Sequence, residues 1–333
     1  MRFILTFFCF LYVIAAYSQK DNLSAYVYNA TDSSAVEAAS IYFDGSTIGT
    51  STNANGYFTL TYTSSISNPL VVSALGYETL YLNPEQLDKQ HTYSIYLKES
   101  TEELDAVQLE TDPWSRKRKL KEFKREFLGR SKFAESCTIL NEDILALRYS
   151  PSGKTLYASA KEPLLIINRA LAYEVRYDLL DFYVNYDSGS SGLLLPTNTY
   201  YEGTSYFEMQ NTKRKNRRNR NEAYTGSLLH FMRSLSHKKL HESKFQIFHE
   251  RLEVAPYKFF EIQAEGTRTH VQLTTEKLSI LYDGEEQSLF QTRSAFYIDE
   301  WGNHSPPDAI LTGGAMGRNR FAELVPIDFK VEN

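Results

Sequence analysis

Residues 39–60 read Ala-Ser-Ile-Tyr-Phe-Asp-Gly-Ser-Thr-Ile-Gly-Thr-Ser-Thr-Asn-Ala-Asn-Gly-Tyr-Phe-Thr-Leu, and they decide the fold of the N-terminal part of the chain. Along Ile41-Tyr42-Phe43 the outer two side chains point to one face of a strand and the middle one to the other. Gly45 and the pair Asn55-Gly56 supply turns, because Asn and Gly adopt positive φ at low cost. The stretch therefore predicts three short antiparallel strands.

Strand-like segments continue on both sides of this stretch at close spacing, with turn signals between them. They are residues 23–29, 69–74, 77–82 and 93–97. Several short strands separated by turn residues are typical of a β-sandwich. We therefore predict an antiparallel β-sandwich domain over residues 19–99.

The order of residues in this segment resembles the carboxypeptidase regulatory-like domain. The matching positions are Ala39, Ile41, Phe43, Gly45, Gly49-Thr50, Asn53, Asn55-Gly56, Phe58, Val71, Ser73 and Gly76-Tyr77. The resemblance covers about a quarter of the chain and implies a transthyretin-like, prealbumin-type sandwich. In metallocarboxypeptidases this domain accompanies a zinc catalytic domain, and in the envelopes of Bacteroidota it often forms the front of exported proteins. Asn53 departs from the aspartate common at that position, and an asparagine suits the same turn.

The N-terminus predicts export. Arg2 precedes an apolar run, Phe3–Ala16, and small residues surround a cleavage point at Ser18-Gln19. These features describe a secretory signal peptide, here residues 1–18, and an uncleaved N-terminal anchor is the alternative. No later apolar stretch reaches the roughly 20 residues of a membrane span. We expect a mature chain with no transmembrane span, in the periplasm, at the outer membrane or outside the cell.

Charge and cysteine content exclude several classes of protein. The formal net charge is −5, which argues against a dedicated nucleic-acid-binding protein. Of the two cysteines, Cys9 lies in the signal peptide and does not suit lipid attachment, because Phe7 and Phe8 precede it. Cys137 is then alone, so no intrachain disulfide is expected, and its strand-like surroundings predict a packed thiol rather than a reactive one.

The remainder of the chain predicts a linker and a second, larger domain. Asp112-Pro113 favours the start of an amphipathic helix and Gly129 favours its end. This helix, with a strand over residues 103–110, forms the linker at residues 100–130. Residues 131–333 predict a mixed, β-rich α+β domain.

Two segments of this larger domain have patterns of their own. Residues 225–242 carry an apolar stripe that predicts a helix, whereas residues 211–221 are polar and basic and predict a loop. The motif Tyr224-x-Gly226-Ser227-x-x-His230-Phe231 is similar to one in the body of exported Bacteroidota proteins. That resemblance implies an architecture and a location, and no established activity.

The polar residues of this motif are candidates for a pocket. Tyr224, Ser227 and His230 suit a functional pocket, and the alternative is a helix cap with a hydrogen-bonded core histidine. Trp301 and His304 occupy a turn-rich segment in which the indole could stack on a sugar ring. The alternative there is a tight hairpin anchored by its tryptophan.

Two further segments are candidates for a metal site and an anion site. His237 and His241 are four residues apart, which places two imidazoles on one face of a helix, but two lysines between them disfavour a cation. They are weak metal candidates, and a surface helix face is favoured. The basic run favours phosphates or an acidic glycan, or else is a solvated loop. Its cations are Lys213, Arg214, Lys215, Arg217, Arg218 and Arg220.

We therefore predict a non-catalytic exported cell-envelope protein that binds a glycan, a peptide or a protein partner. Exposed aromatic residues and the basic run would make the contacts. We expect no cofactor and no nucleic-acid partner. The alternative is an envelope hydrolase with residues near Ser227, His230 and His304 in its active site, although the chain has no Gly-x-Ser-x-Gly nucleophile motif and no phosphate-binding loop.

Overall fold

The computed structural model describes residues 20–63, 66–87, 92–100, 110–188 and 193–332. The predicted signal peptide, and residues 103–109 of the predicted linker strand, lie outside these ranges. In the described part the chain is mainly β, with several sheets and an N-terminal β domain followed by a larger β-rich region, as predicted. Within it, no helix combines the length and the apolar character needed to cross a membrane.

The N-terminal domain is a sandwich of two sheets, with strand orders β4-β1-β7 and β3-β2-β5-β6. The strands are β1 (Lys20–Asn29), β2 (Ser40–Phe43), β3 (Gly49–Ser51), β4 (Tyr57–Thr63), β5 (Leu70–Ser73), β6 (Leu80–Leu82) and β7 (Tyr93–Leu97). β1 and β7 are parallel and the other neighbours are antiparallel. The inner faces of both sheets form one hydrophobic core.

The predicted turns and facing of this domain are confirmed. Ile41 and Phe43 are fully buried in the sandwich core. Asn53 Oδ1 accepts the backbone N–H groups of Asn55, at 2.9 Å, and of Tyr57, at 3.1 Å. Gly56 has φ 72°, and a Cβ there would lie 2.5 Å from the carbonyl oxygen of Val27. The turn therefore requires glycine for both its backbone angle and its space.

The linker helix α1 (Arg116–Phe127) begins later than predicted, because Ser115 caps it and Asp112 does not. The Asp112 carboxylate instead accepts the Trp114 N–H at 2.8 Å and the Lys119 ammonium at 2.5 Å. It thereby ties the approach to the helix to the first turns. The helix ends at Phe127, and Gly129, the predicted stop, follows the C-cap Leu128 with φ 104°.

A six-stranded antiparallel sheet follows, and α1 packs on one of its faces. Its strands are β8 (Cys137–Ile139), β9 (Ala146–Ser150), β10 (Thr155–Ser159), β11 (Leu164–Asn168), β12 (Tyr173–Ser188) and β13 (Leu194–Met209). β13 pairs along the whole of β12. β11 pairs with the first half of β12, and β10 pairs with the second half of β12. Phe123 of α1 meets Phe182 of β12 with ring centroids 4.7 Å apart, so this face is the core of the middle region.

Two consecutive helices, α2 (Arg214–Tyr224) and α3 (Leu228–Ser236), lead from β13 into the last part of the chain. Two sheets, ordered β15-β14-β18-β19-β22 and β16-β17-β20-β21, surround α3 and a short helix, α4 (Gly314–Arg318). Their strands are β14 (Phe245–His249), β15 (Leu252–Val254), β16 (Phe260–Glu265), β17 (Arg268–Leu273), β18 (Lys277–Tyr282), β19 (Glu286–Thr292), β20 (Phe296–Ile298), β21 (His304–Ser305) and β22 (Ile310–Gly313). The region predicted as one C-terminal domain thus contains two hydrophobic cores.

Candidate functional site

Helix α2 is the element that positions the basic run, and the prediction of a loop over residues 211–221 is wrong. Its inner face is polar: Asn216, Asn219 and Arg220 are buried at i, i+3 and i+4 spacing. Asn216 Nδ2 donates to the carbonyl oxygens of Arg169 and Ala170 at 2.9 and 2.8 Å. Asn219 Nδ2 donates to the second of these at 2.9 Å. Because the buried side chains are amides rather than aliphatic residues, hydropathy periodicity does not reveal this helix.

Arg220 is the innermost member of this face, with 0% exposure. Its guanidinium donates to both carboxylate oxygens of Glu332, at 2.5 and 2.8 Å, and to the carbonyl oxygen of Leu171 at 2.9 Å. Asn221 holds the backbone of Glu332 through two further hydrogen bonds. Arg220 therefore belongs to the buried structure that fixes α2 to the chain end, and its prediction as a ligand-binding residue is wrong.

The outer surface of α2 carries the other cations of the run. We call Lys213, Arg214, Lys215, Arg217 and Arg218 the α2 basic face. Arg217 is half-buried and the other four are exposed. No ion pair to them is found among the described residues. Four of them, with Asn221 and Glu332, line a shallow cavity of about 550 Å³.

The charge at the start of α2 opposes the helix dipole. The first turn contains no acidic residue and begins with Arg214-Lys215. A cation near a helix N-terminus is unfavourable by about 0.3–1 kcal/mol. An anion bound there would interact favourably with both the side chains and the helix end. The arrangement suits a negatively charged partner.

Tyr224, Ser227 and His230 meet at the junction between α2 and α3. Ser227 caps α3 by accepting the backbone N–H of His230 at 3.2 Å. His230 Nδ1 accepts the N–H of Gly226 at 3.2 Å, and its ring lies 4.9 Å from that of Tyr224. This arrangement is a helix cap with a hydrogen-bonded histidine, which is the alternative to a functional pocket that the sequence allowed. No described hydrogen bond joins the Ser227 hydroxyl to the His230 ring.

The surroundings of His230 keep its ring uncharged near neutral pH. Burial, and secondarily the charge of Arg233, lower its pKa to about 4. Rings of Phe245 and Tyr282 enclose it at centroid distances of 5.0 and 5.7 Å. A neutral ring whose Nδ1 is occupied by a backbone N–H fixes the elbow between the helices.

No described contact joins the Trp301 or His304 side chain to Tyr224, Ser227 or His230, although Arg233 of α3 donates to the Trp301 carbonyl oxygen at 2.7 Å. Trp301 packs against the core of the N-terminal domain, and its Nε1 is buried without a hydrogen-bond partner. Asp299 Oδ1 accepts the backbone N–H groups of Trp301 and Asn303, both at 2.9 Å, which matches the anchored hairpin. Burial lowers the pKa of His304, which lies on β21.

His237 and His241 do not share a helical face, so that geometric prediction is wrong. α3 ends at Ser236, and Lys238 has a positive φ of 56°. The next residue, Lys239, donates its N–H to the carbonyl oxygen of Ser234 at 2.7 Å. The left-handed Lys238 turns the chain and buries Leu240. Among the described residues, no group of three His, Cys, Asp or Glu side chains could hold a metal ion.

The comparisons with known proteins concern the N-terminal part of the chain. Residues 23–109 match the family model of the CarboxypepD_reg-like domain. The N-terminal domain is CarboxypepD_reg-like. The resemblance seen in the sequence is thereby confirmed for this part. No curated protein matches the chain.

The CarboxypepD_reg-like domain rests on the β12–β13 hairpin through its Gly45 turn. The Gly45 N–H donates to Ser205 O at 2.8 Å, the Phe207 N–H to Ser46 O at 3.0 Å, and the Ile327 N–H to Gly45 O at 2.7 Å. The turn therefore adds backbone pairing to β13 and also binds the C-terminal tail.

The outward side chain of β2 completes this junction. Tyr42 donates to Asp178 Oδ2 at 2.8 Å and stacks on Tyr206 with ring centroids 5.3 Å apart. Asp44 Oδ1 accepts the Ser205 N–H at 2.7 Å. The strand alternation predicted that Tyr42 faces away from the sandwich core, but nothing in the sequence indicated what it would meet.

The Asp44 carboxyl makes this junction sensitive to pH. Burial raises its pKa from 3.8 to about 6. An acid whose pKa is raised in the folded state stabilises the fold when the pH is below its pKa in the unfolded state. That contribution is lost as the pH rises through its pKa in the folded state. We therefore expect the free energy of unfolding of Asp44→Asn, relative to that of the natural chain, to increase by about 2–3 kcal/mol between pH 4 and pH 7. Urea unfolding at both pH values measures this, and an equal difference at both would contradict it.

Cys137 is the thiol whose inertness can be tested. Burial raises its pKa to about 12. The thiolate is the reactive form, so at pH 8 the folded chain beginning at Gln19 should react with maleimide about a thousandfold more slowly than in urea. Mass spectrometry of timed samples measures the two rates. Equal rates would show an accessible thiol.

Proposed function

We propose that the protein is a non-catalytic, exported cell-envelope protein of the Bacteroidota type that binds an acidic glycan on the α2 basic face. The observation that carries the proposal is the separation of roles along α2. Arg220 on the inner face is paired and buried, whereas the cations of the outer face have no acidic partner among the described residues. Cations without an internal role, held on a docked helix, suit an external polyanion.

The shape of the α2 basic face favours an extended polymer over a small ligand. Its cavity is shallow and open to solvent, and its lining includes the four cations Arg214, Lys215, Arg217 and Arg218. Several cations around an open surface make several weak contacts with repeated anionic groups. Arg also makes bidentate hydrogen bonds to carboxylate or phosphate, which gives each contact a direction.

A nucleic acid is disfavoured as the partner. The predicted export signal indicates a location outside the cytosol. No described cation–π contact involves the five cations of the α2 basic face. Base stacking on aromatic side chains is the usual complement to backbone contacts in single-strand binding. Carboxylate or phosphate groups on a glycan need only the cations.

The test compares two charge-matched variants. R214Q/K215Q/R217Q/R218Q removes four cations of the α2 basic face, and K117Q/K121Q/K239Q/K277Q removes four exposed cations that lie elsewhere. Binding is measured at 150 mM salt to polygalacturonate, to lipopolysaccharide, to dephosphorylated lipopolysaccharide and to neutral dextran. The first variant should lose at least about 30-fold in affinity for the anionic probes, whereas the second should lose less than about threefold.

The four probes also separate the sources of charge. Binding to polygalacturonate indicates recognition of carboxylates, and binding to lipopolysaccharide that is lost on dephosphorylation indicates recognition of phosphates. Equal losses in the two variants would mean that net charge, and not the α2 basic face, governs binding. No binding to any anionic probe would reject the proposed function.

A further inference from the structure

The exposed face of the middle sheet carries a row of aromatic side chains. Strand register places Arg148 of β9 opposite Tyr157 of β10, Tyr157 opposite Tyr183 of β12, and Tyr183 opposite Tyr200 of β13. The four side chains therefore lie on one line across four strands, which we call the tyrosine row. Neighbouring strands are about 4.8 Å apart, so the three rings follow one another closely.

The tyrosine row is open to solvent and ordered by its own contacts. Tyr157 and Tyr200 are each 38% exposed. The rings of Tyr183 and Tyr200 stack with centroids 5.1 Å apart, and the Arg148 guanidinium lies 4.7 Å from the centre of the Tyr157 ring. Helix α1 covers the opposite face of the sheet, so the row has no part in that core.

Polar pairs border the tyrosine row on both sides. Asp181 faces Glu202 in the register on one side, and Asn185 faces Asn198 on the other. Like charges directly opposite one another destabilise a sheet. No ion pair to either carboxylate is found among the described residues. Glu202 instead accepts the Tyr200 hydroxyl at 2.5 Å.

The CarboxypepD_reg-like domain meets the same two strands beyond Glu202. Tyr42 of β2 donates to Asp178 Oδ2 at 2.8 Å and lies within hydrogen-bond distance of the Thr204 hydroxyl, at 3.2 Å. Tyr81 of β6 is 40% exposed and faces the same way as Tyr42, because the strand register joins both to Val71 of β5. The N-terminal domain therefore lies next to the Glu202 end of this face.

We propose that the tyrosine row binds an uncharged glycan chain that runs across the strands. A sugar ring has apolar C–H faces and a rim of hydroxyl groups. The exposed parts of the Tyr157 and Tyr200 rings offer apolar contact to these faces, and the carboxylate and amide pairs on the two sides accept and donate hydrogen bonds at the rim. An extended peptide is a poorer match, because it recognises sheets by pairing with a strand edge, and the row crosses the strands instead.

Charge distinguishes this surface from the α2 basic face. Asp181 and Glu202 would repel an acidic glycan, so the two surfaces take different ligands. The proposal is independent of the proposed function, because its probes are uncharged and its variants lie on other elements. Failure of one leaves the other unaffected.

The experiment is affinity gel electrophoresis of the full exported chain in gels that contain an uncharged polysaccharide. The probes are hydroxyethyl cellulose, laminarin, galactomannan and dextran. Tyr183→Ala and Tyr200→Ala are compared with Tyr96→Ala, an exposed tyrosine of β7 that is 52% exposed. Glu202→Gln tests the rim while it keeps the rings in place, and thermal melting of each variant reports folding.

We expect at least one of the four probes to retard the natural chain, with little change between 50 and 500 mM salt. The two alanine variants of the row should weaken that binding at least about tenfold and Glu202→Gln about threefold, whereas Tyr96→Ala should not change it. No retardation by any probe would overturn the proposal. Binding by folded Tyr183→Ala with the same affinity as the natural chain would also overturn it. Binding of oligolysine to the tyrosine row, in place of the polysaccharides, would overturn it as well.

Discussion

Replacing Arg220 by methionine is expected to lower the free energy of unfolding by about 3–5 kcal/mol. The side chain has 0% exposure, and its guanidinium holds the Glu332 carboxylate and the carbonyl oxygen of Leu171. Removing one partner of a buried pair leaves the other without compensation, which costs more than the pair itself contributes. Urea denaturation followed by circular dichroism measures the change.

Arg218 gives the matched control for this prediction. It lies two residues away on the same helix, it is exposed, and no ion pair to it is found in the described part of the chain. Arg218→Met should change stability by less than about 0.5 kcal/mol. Similar destabilisation by the two variants would mean that α2 is not docked through its inner face.

Replacing Arg233 by methionine should have an effect of the same size, about 3–5 kcal/mol. Its guanidinium donates to the carbonyl oxygens of Trp301 at 2.7 Å and Phe329 at 2.8 Å, and also to that of Ile327. It also lies over the Tyr224 ring, 5.3 Å from the centroid. One side chain thus joins α3, the hairpin after β20 and the C-terminal tail.

The shape of the guanidinium explains why lysine cannot replace it. A lysine at this position presents one ammonium group and cannot reach three carbonyls that diverge, so Arg233→Lys should recover less than half of the loss. Arg318→Met, at an exposed position on α4, is the control and should be nearly neutral. Full recovery by lysine would show that charge alone, without the forked geometry, is sufficient.

The N-terminal domain could be predicted from sequence because its signals are local. The alternation along Ile41-Tyr42-Phe43 and the Asn55-Gly56 turn both depend on neighbours in the chain. The same holds for Ser227, whose capping role needs only the residues that follow it. Short-range periodicity and turn chemistry therefore carried this part of the fold.

The errors fall where stability comes from distant polar partners. α2 was predicted as a loop because its buried residues are Asn216, Asn219 and Arg220, and their partners lie more than 40 positions away, near Ala170 and Glu332. The i, i+3, i+4 spacing of these three residues was the available signal. The tyrosine row was not predicted because strand register, and not sequence proximity, aligns Tyr157 with Tyr200.

The most direct test of the central claim is to map where an anionic glycan covers the protein. Lys215 and Lys117 are both exposed, so an amine-reactive acetylating reagent should modify both in the free protein. With saturating polygalacturonate or lipopolysaccharide, whichever binds, the account predicts at least fivefold slower modification of Lys215 and an unchanged rate at Lys117. Equal protection of the two lysines, or protection at Lys117 alone, would contradict binding on the α2 basic face.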